Sequence, residues 1–157
     1  MPAAQRALAT IGDRVIAKMI DGFCLAVPAL IVHFVFLRGA SRIVHLAVGL
    51  PMEFLYTVVP VALFGQTLGK AARKIRIVGP DGQRPGWSRS VRRFVVEALP
   101  LYVPLRLLEP VLSAVVYLRV FTVPDRRGLH DLLADTRVIS DLAPGRNLTI
   151  EQLRRHR

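Results

Sequence analysis

Long apolar segments and short polar segments alternate along the chain. Residues 15–37 and residues 43–64 are each apolar over a length that can cross a bilayer, because a helix rises about 1.5 Å per residue and a hydrocarbon core is about 30 Å thick. Only a short polar stretch separates the two segments. The pattern therefore predicts two full transmembrane helices that form a tight antiparallel hairpin.

A third apolar segment, residues 94–123, is too long for one comfortable span and too short for two. Pro100, Pro104 and Pro110 interrupt it, and proline breaks or kinks a helix because it removes a hydrogen bond and clashes with the preceding turn. We expect either a single bent span or a re-entrant pair of short helices. The predicted fold class is an all-α polytopic membrane protein with a proline-broken third or fourth membrane region.

Two short stretches outside the apolar segments have the character of β-strands. Residues 74–77 alternate polar and apolar side chains, and the Gly-Pro-Asp-Gly sequence of residues 79–82 is a strong turn signal. Residues 136–140 form a second stretch rich in β-branched residues. We predict that the two strands pair on the cytoplasmic side, where they would tie the middle loop to the tail.

Basic residues are concentrated between and beyond the apolar segments. The chain of 157 residues is 52% hydrophobic, yet it carries 22 Lys+Arg against 11 Asp+Glu and a net charge of +11. Because basic loops stay in the cytoplasm, we assign residues 65–93 to a cytoplasmic loop. Residues 1–14 form a cytoplasmic N-terminus, and residues 141–157 form a basic C-terminal tail. If both termini lie in the cytoplasm, the chain must cross the membrane an even number of times. This favours a third apolar segment that enters the membrane and returns to the same side.

The same distribution of charge predicts the location and the surroundings of the protein. We expect a multi-pass protein of the plasma or inner membrane, with a membrane domain over residues 15–140 and anionic lipid headgroups at its basic cytoplasmic face. Nucleic-acid binding would also explain the charge, but the basic residues flank segments of membrane length, so no nucleic-acid partner is expected. The first segment could also be read as a signal peptide, but Lys18 and Asp21 fit poorly there and a second span follows at once.

Charged residues also lie inside the apolar segments, where each costs roughly 2.5–3.5 kcal/mol on insertion scales. Arg14, Lys18 and Asp21 share one helical face. Asp21 lies one turn after Lys18, so it can form a packing salt bridge with Lys18, or it can act as an ion or proton site. The sequence leaves both readings open.

A second group of charges is spread over the later segments. Glu53 lies near the middle of the second segment, so it must be protonated, paired or directed at a polar cavity. Its candidate partners are His33, His45 and Arg106. Arg106 and Glu109 are three residues apart and can pair along one helix. The predicted membrane-embedded charge network is Arg14, Lys18, Asp21, Glu53, Arg106 and Glu109.

The sequence GQTLGK at residues 65–70 has the appearance of a phosphate-binding loop. A P-loop has four residues between its glycines and a Ser or Thr after the lysine, whereas this stretch has three residues and Ala71. A P-loop also follows a buried strand, whereas this stretch follows a predicted membrane span. The stretch is therefore not a P-loop. We expect Gly65 and Gly69 to let the backbone turn sharply out of the membrane, with Lys70 at the lipid headgroups.

Four stretches together resemble the RDD family of small integral membrane proteins. They are R-x-x-A-x-x-I-D from Arg14 to Asp21, GQTLGK, R-I-V followed by a D-G turn, and G-L-H-D-L-L-A-D-T-R-V near the end. The resemblance covers the chain from about Arg14 to Ser140. It implies structural positions in the family motifs at Gly65, Gln66, Thr67, Gly69, Lys70, His130 and Asp131.

The family's name refers to one arginine and two aspartates, which the resemblance places at Arg14, Asp21 and Asp131. Asp135 departs from the family pattern, because members usually have glycine there. The resemblance implies a role in transport, with cation/proton exchange proposed for some members, and it brings no enzymatic reaction.

His130, Asp131 and Asp135 are too few and too adjacent to predict a metal site. Capping and salt bridges to Arg126 or Arg127 and to the basic middle loop are the expected roles. No nucleophile or zinc-binding motif is present in the sequence. We therefore expect no catalytic residue, no metal and no cofactor, and we do not expect an enzyme.

Two functions follow from these patterns. The first is an accessory or assembly subunit of a larger membrane transport complex, because three or four passes hardly enclose a substrate path. The second is a homo-oligomeric cation/proton exchanger that uses the intramembrane carboxylates Asp21 and Glu53. Other membrane-protein subunits or further copies of this chain are the expected partners. The two functions differ in whether the carboxylates are paired within the protomer or face a polar cavity.

Overall fold

The computed structural model describes residues 8–102 and 125–141, without the side chains of residues 99–102. This part of the chain is mostly helical and contains one small sheet. Its elements, in chain order, are α1 (Ile11–Phe36), α2 (Arg42–Phe64), α3 (Leu68–Ala72), β1 (Ile75–Val78), α4 (Gly86–Tyr102), α5 (Leu129–Leu133) and β2 (Arg137–Ser140).

Helices α1 and α2 are long and apolar enough to cross a membrane, as the sequence predicts. They contain 26 and 23 residues and so extend for about 39 Å and 35 Å. Helix α1 begins before the predicted boundary because the Thr10 hydroxyl accepts a hydrogen bond from the Asp13 amide at 3.0 Å and caps the helix. Large side chains such as Phe23 and Ile43 are 70% and 77% exposed on the outer faces, which suits contact with lipid.

The two long helices run antiparallel and are joined by residues 37–41. Near this connection, His33 Nδ1 lies 2.9 Å from His45 Nε2. Towards the other end, the Tyr56 hydroxyl donates to Asp21 at 2.7 Å. Beyond such contacts, α1 packs mainly against α3 and α2 packs mainly against α4. The hairpin is therefore held together largely by elements that come later in the chain.

Strands β1 and β2 form an antiparallel pair that runs from Ile75 opposite Ser140 to Val78 opposite Arg137. This confirms the predicted two-strand element. The amide of Ala9 donates to the carbonyl of Val138 at 3.1 Å, so the residues before α1 lie beside β2. Ile75, Ile77 and Val138 are buried together with Ala9, Ala17 and Val61. The sheet thus shares one core with the ends of α1 and α2.

The predicted cytoplasmic loop of residues 65–93 is largely ordered into elements. It contains α3, β1 and the first half of α4. Helix α4 continues across Pro100 to Tyr102, so the helix does not end at this proline. Pro104, Pro110 and residues 103–124 lie outside the described residues, and the number of crossings there stays a prediction.

Helix α4 is fixed to α2 by a second apolar core. Val58, Phe94 and Ala98 are buried there. The ring of Phe54 meets that of Phe94 edge to face, with centroids 5.4 Å apart. This contact places the polar side of α4, with Arg93 and Glu97, next to α1 and α5.

Candidate functional site

The carboxylate of Asp21 is the centre of the first polar cluster. Asp21 is only 5% exposed. Its oxygens accept hydrogen bonds from the Tyr56 hydroxyl at 2.7 Å, the Thr67 hydroxyl at 2.6 Å, the Gly69 amide at 2.8 Å and the Lys70 ammonium at 3.4 Å. These five residues are called the Asp21 cluster below. Its donors come from α2, from the turn that follows α2, and from α3.

The GQTLGK stretch supplies most of these donors because of how its backbone folds. Gly65 ends α2 in the left-handed conformation, with φ of 77°, and an added Cβ would lie 2.8 Å from the carbonyl oxygen of Ile77. This turn agrees with the predicted role of Gly65. Gln66 is half-buried. Thr67 then precedes α3, whose first turn faces α1.

Gly69 does not have the role predicted for it, and Lys70 contacts Asp21. Gly69 lies within α3, where an added Cβ would collide with the carbonyl oxygen of Ala17 and lie 2.8 Å from Asp21 Oδ1. Its lack of a side chain thus serves close packing and not a turn. Lys70 turns inward to Asp21, with its side chain only 14% exposed. Burial lowers the pKa of Lys70, and the nearby charge of Arg93 lowers it further.

Asp131, at the start of α5, is the centre of a second polar cluster. Its fully buried side chain accepts a hydrogen bond from Arg14 at 3.1 Å, another from Arg93, and a third from the Gly128 amide at 3.2 Å. These four residues are called the Asp131 cluster. Burial alone would raise the pKa of Asp131, but the charges of Arg93 and Arg14 lower it well below its usual range. The cluster ties α1, α4 and α5 together.

Two further charged residues near Asp131 lie on either side of α5. Arg127 forms an ion pair with Asp135 at 3.0 Å, which agrees with the predicted salt bridging. Asp135 has a φ of 49°, in the left-handed region that favours glycine. This conformation suits the glycine that the resemblance described above implies at this position.

Glu97 in α4 joins Lys18 of α1 to the Asp131 cluster. Its carboxylate contacts the ammonium of Lys18 in α1 and lies 3.8 Å from Arg93 of the Asp131 cluster. Lys18 is the partner that the salt-bridge reading of the sequence offers for Asp21, whereas the structure pairs Asp21 with Lys70. Lys18 contacts Glu97 of α4, while α3 supplies the lysine for Asp21.

A cavity of about 370 Å³ lies where the two clusters meet. Its charged and polar lining comes from Arg14, Lys18, Lys70, Arg93, Glu97 and His130. Burial lowers the pKa of His130 to about 4, and Arg93 contributes to the shift, so this side chain is neutral at pH 7. Val15, Met19 and Ile75 contribute an apolar wall.

Three members of the predicted charge network, Arg14, Lys18 and Asp21, contact residues that the prediction did not include. Arg14 and Asp131 form a direct ion pair across 117 residues of sequence. Glu53 is half-buried within α2, and its candidate partners His33 and His45 contact each other. Arg106 and Glu109 lie outside the described residues. Among the residues that are described, no three His, Cys, Asp or Glu side chains are grouped so that they could hold a metal ion.

Three important side chains escape the sequence-based prediction. Tyr56 has no distinguishing neighbour in its apolar segment, so no local signal indicates its bond to Asp21. Arg93 and Glu97 are four residues apart on one helix, a spacing that places both on one face. That spacing was the available signal for a polar face on α4.

A match to a protein-family model covers the part of the chain that contains both clusters. A model described as the RDD family matches residues 8–135, a range that contains every member of the Asp21 cluster and of the Asp131 cluster. No curated protein and no solved structure matched the chain significantly.

Proposed function

The chain belongs to the RDD family, and from this premise we propose that it is a non-catalytic accessory or assembly subunit of a larger membrane transport complex. The observation that carries the proposal is the environment of Asp21. Four donors occupy its two carboxylate oxygens, and one of them is a buried ammonium. A carboxylate accepts about four hydrogen bonds, so its acceptor capacity is used within the protomer.

An intramembrane carboxylate that carries ions has to exchange its ligands during transport. Asp21 would have to release Lys70 and two hydroxyl donors to bind a cation, and the bond from the Gly69 amide would break as well. Such a rearrangement would separate α3 from α1. We therefore assign Asp21 a structural role, in which it joins the membrane hairpin to the elements that follow it.

The charges around the cavity favour the same assignment. Four cationic side chains line it, against the single carboxylate of Glu97 among the described lining residues. In a site of low dielectric constant, two like charges a few Å apart repel each other by several kcal/mol. A cation would be repelled from this cavity, which argues against a cation path through it.

We further propose that the protein is inserted in the plasma or inner membrane with both termini in the cytoplasm. Two features support this topology. Leu8 pairs with Ile139 across a β-bridge, so the two described ends of the chain lie on the same side. The basic residues of the segment that contains α3, β1 and the start of α4 lie on that side too, as the positive-inside rule requires.

The outer faces of α1 and α2 are the surfaces on which partners would assemble. Phe23, Phe36 and Ile43 are 70%, 75% and 77% exposed, and the two helices cover little of each other. In a bilayer these faces meet lipid or the helices of other subunits. Other membrane-protein subunits, or further copies of this chain, are the proposed partners.

Native mass spectrometry of the protein extracted gently from its own membranes tests the assembly role. We expect co-purification with larger, unrelated membrane chains in a fixed ratio. The variant Phe23→Ala should lose these chains, whereas Leu133→Ala, in α5 and 54% exposed, should keep them. Species that are only multiples of the 17.4 kDa chain would contradict the accessory role.

The alternative is a homo-oligomeric cation/proton exchanger, which the half-buried Glu53 in the middle of α2 favours. Proton flux driven by a cation gradient, measured in proteoliposomes, tests it. Under this alternative, Glu53→Gln abolishes flux while the yield of folded protein stays unchanged. Flux that is absent in the wild type, or equal in the wild type and the variant, would exclude the exchanger.

A further inference from the structure

The cavity between the two clusters has a surplus of positive charge. The cations that line it are Arg14, Lys18, Lys70 and Arg93. Glu97 lines the same cavity, while Asp131 and Asp21 contact these cations without contributing to the lining. Even when all three carboxylates are counted, the described residues supply one cation more than they supply carboxylates. A single negative charge would neutralise the site.

Arg14 has donor capacity that its described neighbours do not use. One terminal nitrogen donates to Asp131 at 3.1 Å and the other donates to the carbonyl of Val138 at 3.3 Å. Its Nε is buried and has no hydrogen-bond partner in the part of the chain that the structure describes. Buried polar groups are normally paired, so an acceptor from outside the chain would complete the hydrogen bonding of this residue.

The other wall of the cavity is apolar. Val15 and Met19 line it and are 46% and 59% exposed along α1, a helix that could span the membrane. The cavity volume of about 370 Å³ lies within the roughly 300–1,000 Å³ typical of small-molecule sites. A ligand that fits both walls has an anionic group joined to an apolar part.

We propose that this cavity binds the phosphate group of a phospholipid headgroup, with Lys18, Arg14 and Arg93 facing the phosphate and Val15 and Met19 facing the first methylene groups. The shared chemistry is a phosphate oxyanion, which an anionic lipid or free inorganic phosphate could supply. The site goes beyond the proposed assembly role and does not depend on it, because a bound lipid would be present with or without partner chains.

Lipid binding to the purified full chain tests the proposal. The protein is reconstituted in nanodiscs of neutral lipid with increasing phosphatidylglycerol, and the retained lipid is counted by native mass spectrometry. Lys18→Gln removes one cation from the cavity, and Lys74→Gln removes one exposed cation outside it. We expect Lys18→Gln to weaken binding about fivefold, as loss of one charge interaction predicts, and Lys74→Gln to leave it nearly unchanged.

A variant of opposite sign separates an anion site from a general loss of structure. Glu97→Gln removes the carboxylate of the cavity lining, so it should strengthen binding of phosphatidylglycerol. A structural effect would weaken binding in both Glu97→Gln and Lys18→Gln. Opposite changes in the two variants are therefore specific to an anion in the cavity.

Inorganic phosphate distinguishes the two sources of the oxyanion. Retention of phosphatidylglycerol that millimolar phosphate does not displace supports a lipid headgroup. If inorganic phosphate displaces the phosphatidylglycerol, and phosphate binding changes in the same way in Lys18→Gln and Glu97→Gln, the site binds the phosphate group alone. Equal lipid retention by the wild type, Lys18→Gln and Lys74→Gln would overturn the proposal, because binding would then reflect the basic surface as a whole.

Discussion

The amide of Gly69 donates a hydrogen bond to Oδ1 of Asp21 at 2.8 Å. This bond joins α3, a helix of five residues, to the interior of a helix that could span the membrane. It forms only because Gly69 has no side chain, since α3 lies against the carbonyl oxygen of Ala17. The position of α3 in turn brings Thr67 and Lys70 to the same carboxylate.

Substitution of Gly69 by alanine should therefore destabilise the fold. The new Cβ would collide with the Ala17 carbonyl and lie 2.8 Å from Asp21 Oδ1, both of which are held by the helix and its hydrogen bonds. Overpacking of this kind costs about 1–3 kcal/mol. We expect a lower thermal midpoint and a lower yield of folded protein in detergent, measured by fluorescence-detected size-exclusion chromatography.

Gly22→Ala is the matched control for this substitution. Gly22 lies in α1 next to Asp21, and an added Cβ there meets nothing within 4 Å. Alanine in a helix interior is about 0.5–1 kcal/mol more favourable than glycine, so this variant should be as stable as the wild type or more stable. Equal stability of Gly69→Ala and Gly22→Ala would contradict the packing role of Gly69.

The ion pair between Asp21 and Lys70 predicts a strong coupling between these residues. Asp21→Asn leaves the buried ammonium of Lys70 without its carboxylate, and breaking a buried pair in this way costs about 3–5 kcal/mol. The double variant Asp21→Asn with Lys70→Met should recover part of this loss, because no uncompensated charge is left. Thermal unfolding of both single variants and of the double variant measures the coupling.

Asp141→Asn provides the comparison for a surface pair. Oδ2 of Asp141 lies 3.2 Å from Nη2 of Arg76, and both side chains are about one-third exposed. Such pairs contribute about 0–1 kcal/mol. If Asp21→Asn were no more destabilising than Asp141→Asn, the Asp21 cluster would not hold α3 to α1.

Protonation of His130 predicts how stability depends on pH. Burial lowers the pKa of His130 from 6.5 to about 4 in the folded protein, so the unfolded chain binds a proton between these values that the folded chain does not. The free energy of unfolding should therefore fall by up to roughly 3 kcal/mol as the pH decreases through this window. The pKa of Asp131 is lowered too, so its contribution is lost at still lower pH, below the usual range of a carboxyl group.

The variant His130→Gln isolates this effect. It should be less sensitive to pH between about 6.5 and about 4 than the wild type, whatever its stability at neutral pH. Thermal midpoints at closely spaced pH values give the two slopes. Parallel curves for the wild type and the variant would mean that another group is responsible for the decrease.

The left-handed backbone at Asp135 predicts an order of stability among its variants. Asp135→Ala keeps the φ of 49° and loses the ion pair with Arg127, whose carboxylate partner is exposed, so it should be destabilised by about 0–1 kcal/mol. Asp135→Gly loses the same ion pair and relieves the backbone strain, so it should be about 1 kcal/mol more stable than Asp135→Ala. If the alanine variant were the more stable of the two, backbone strain at this turn would be unimportant.

The sequence by itself determined the features that depend on local pattern. The two apolar helices follow from length and composition, which a bilayer requires of any span. The two strands follow from alternating and β-branched residues, and the left-handed turn at Gly65 follows from a glycine at a helix end. Membership of the RDD family follows from short motifs at fixed separations.

Only the tertiary structure decided which charges meet. Asp21 pairs with Lys70, 49 residues away, although Lys18 lies one turn away in the sequence, because α3 occupies the face of α1 on which the carboxylate lies. Arg14 meets Asp131 because β2 and α5 return to the start of α1. Helical spacing shows which residues share a face, but an ion pair in a membrane protein depends on which element packs against that face, and that is a property of the whole fold.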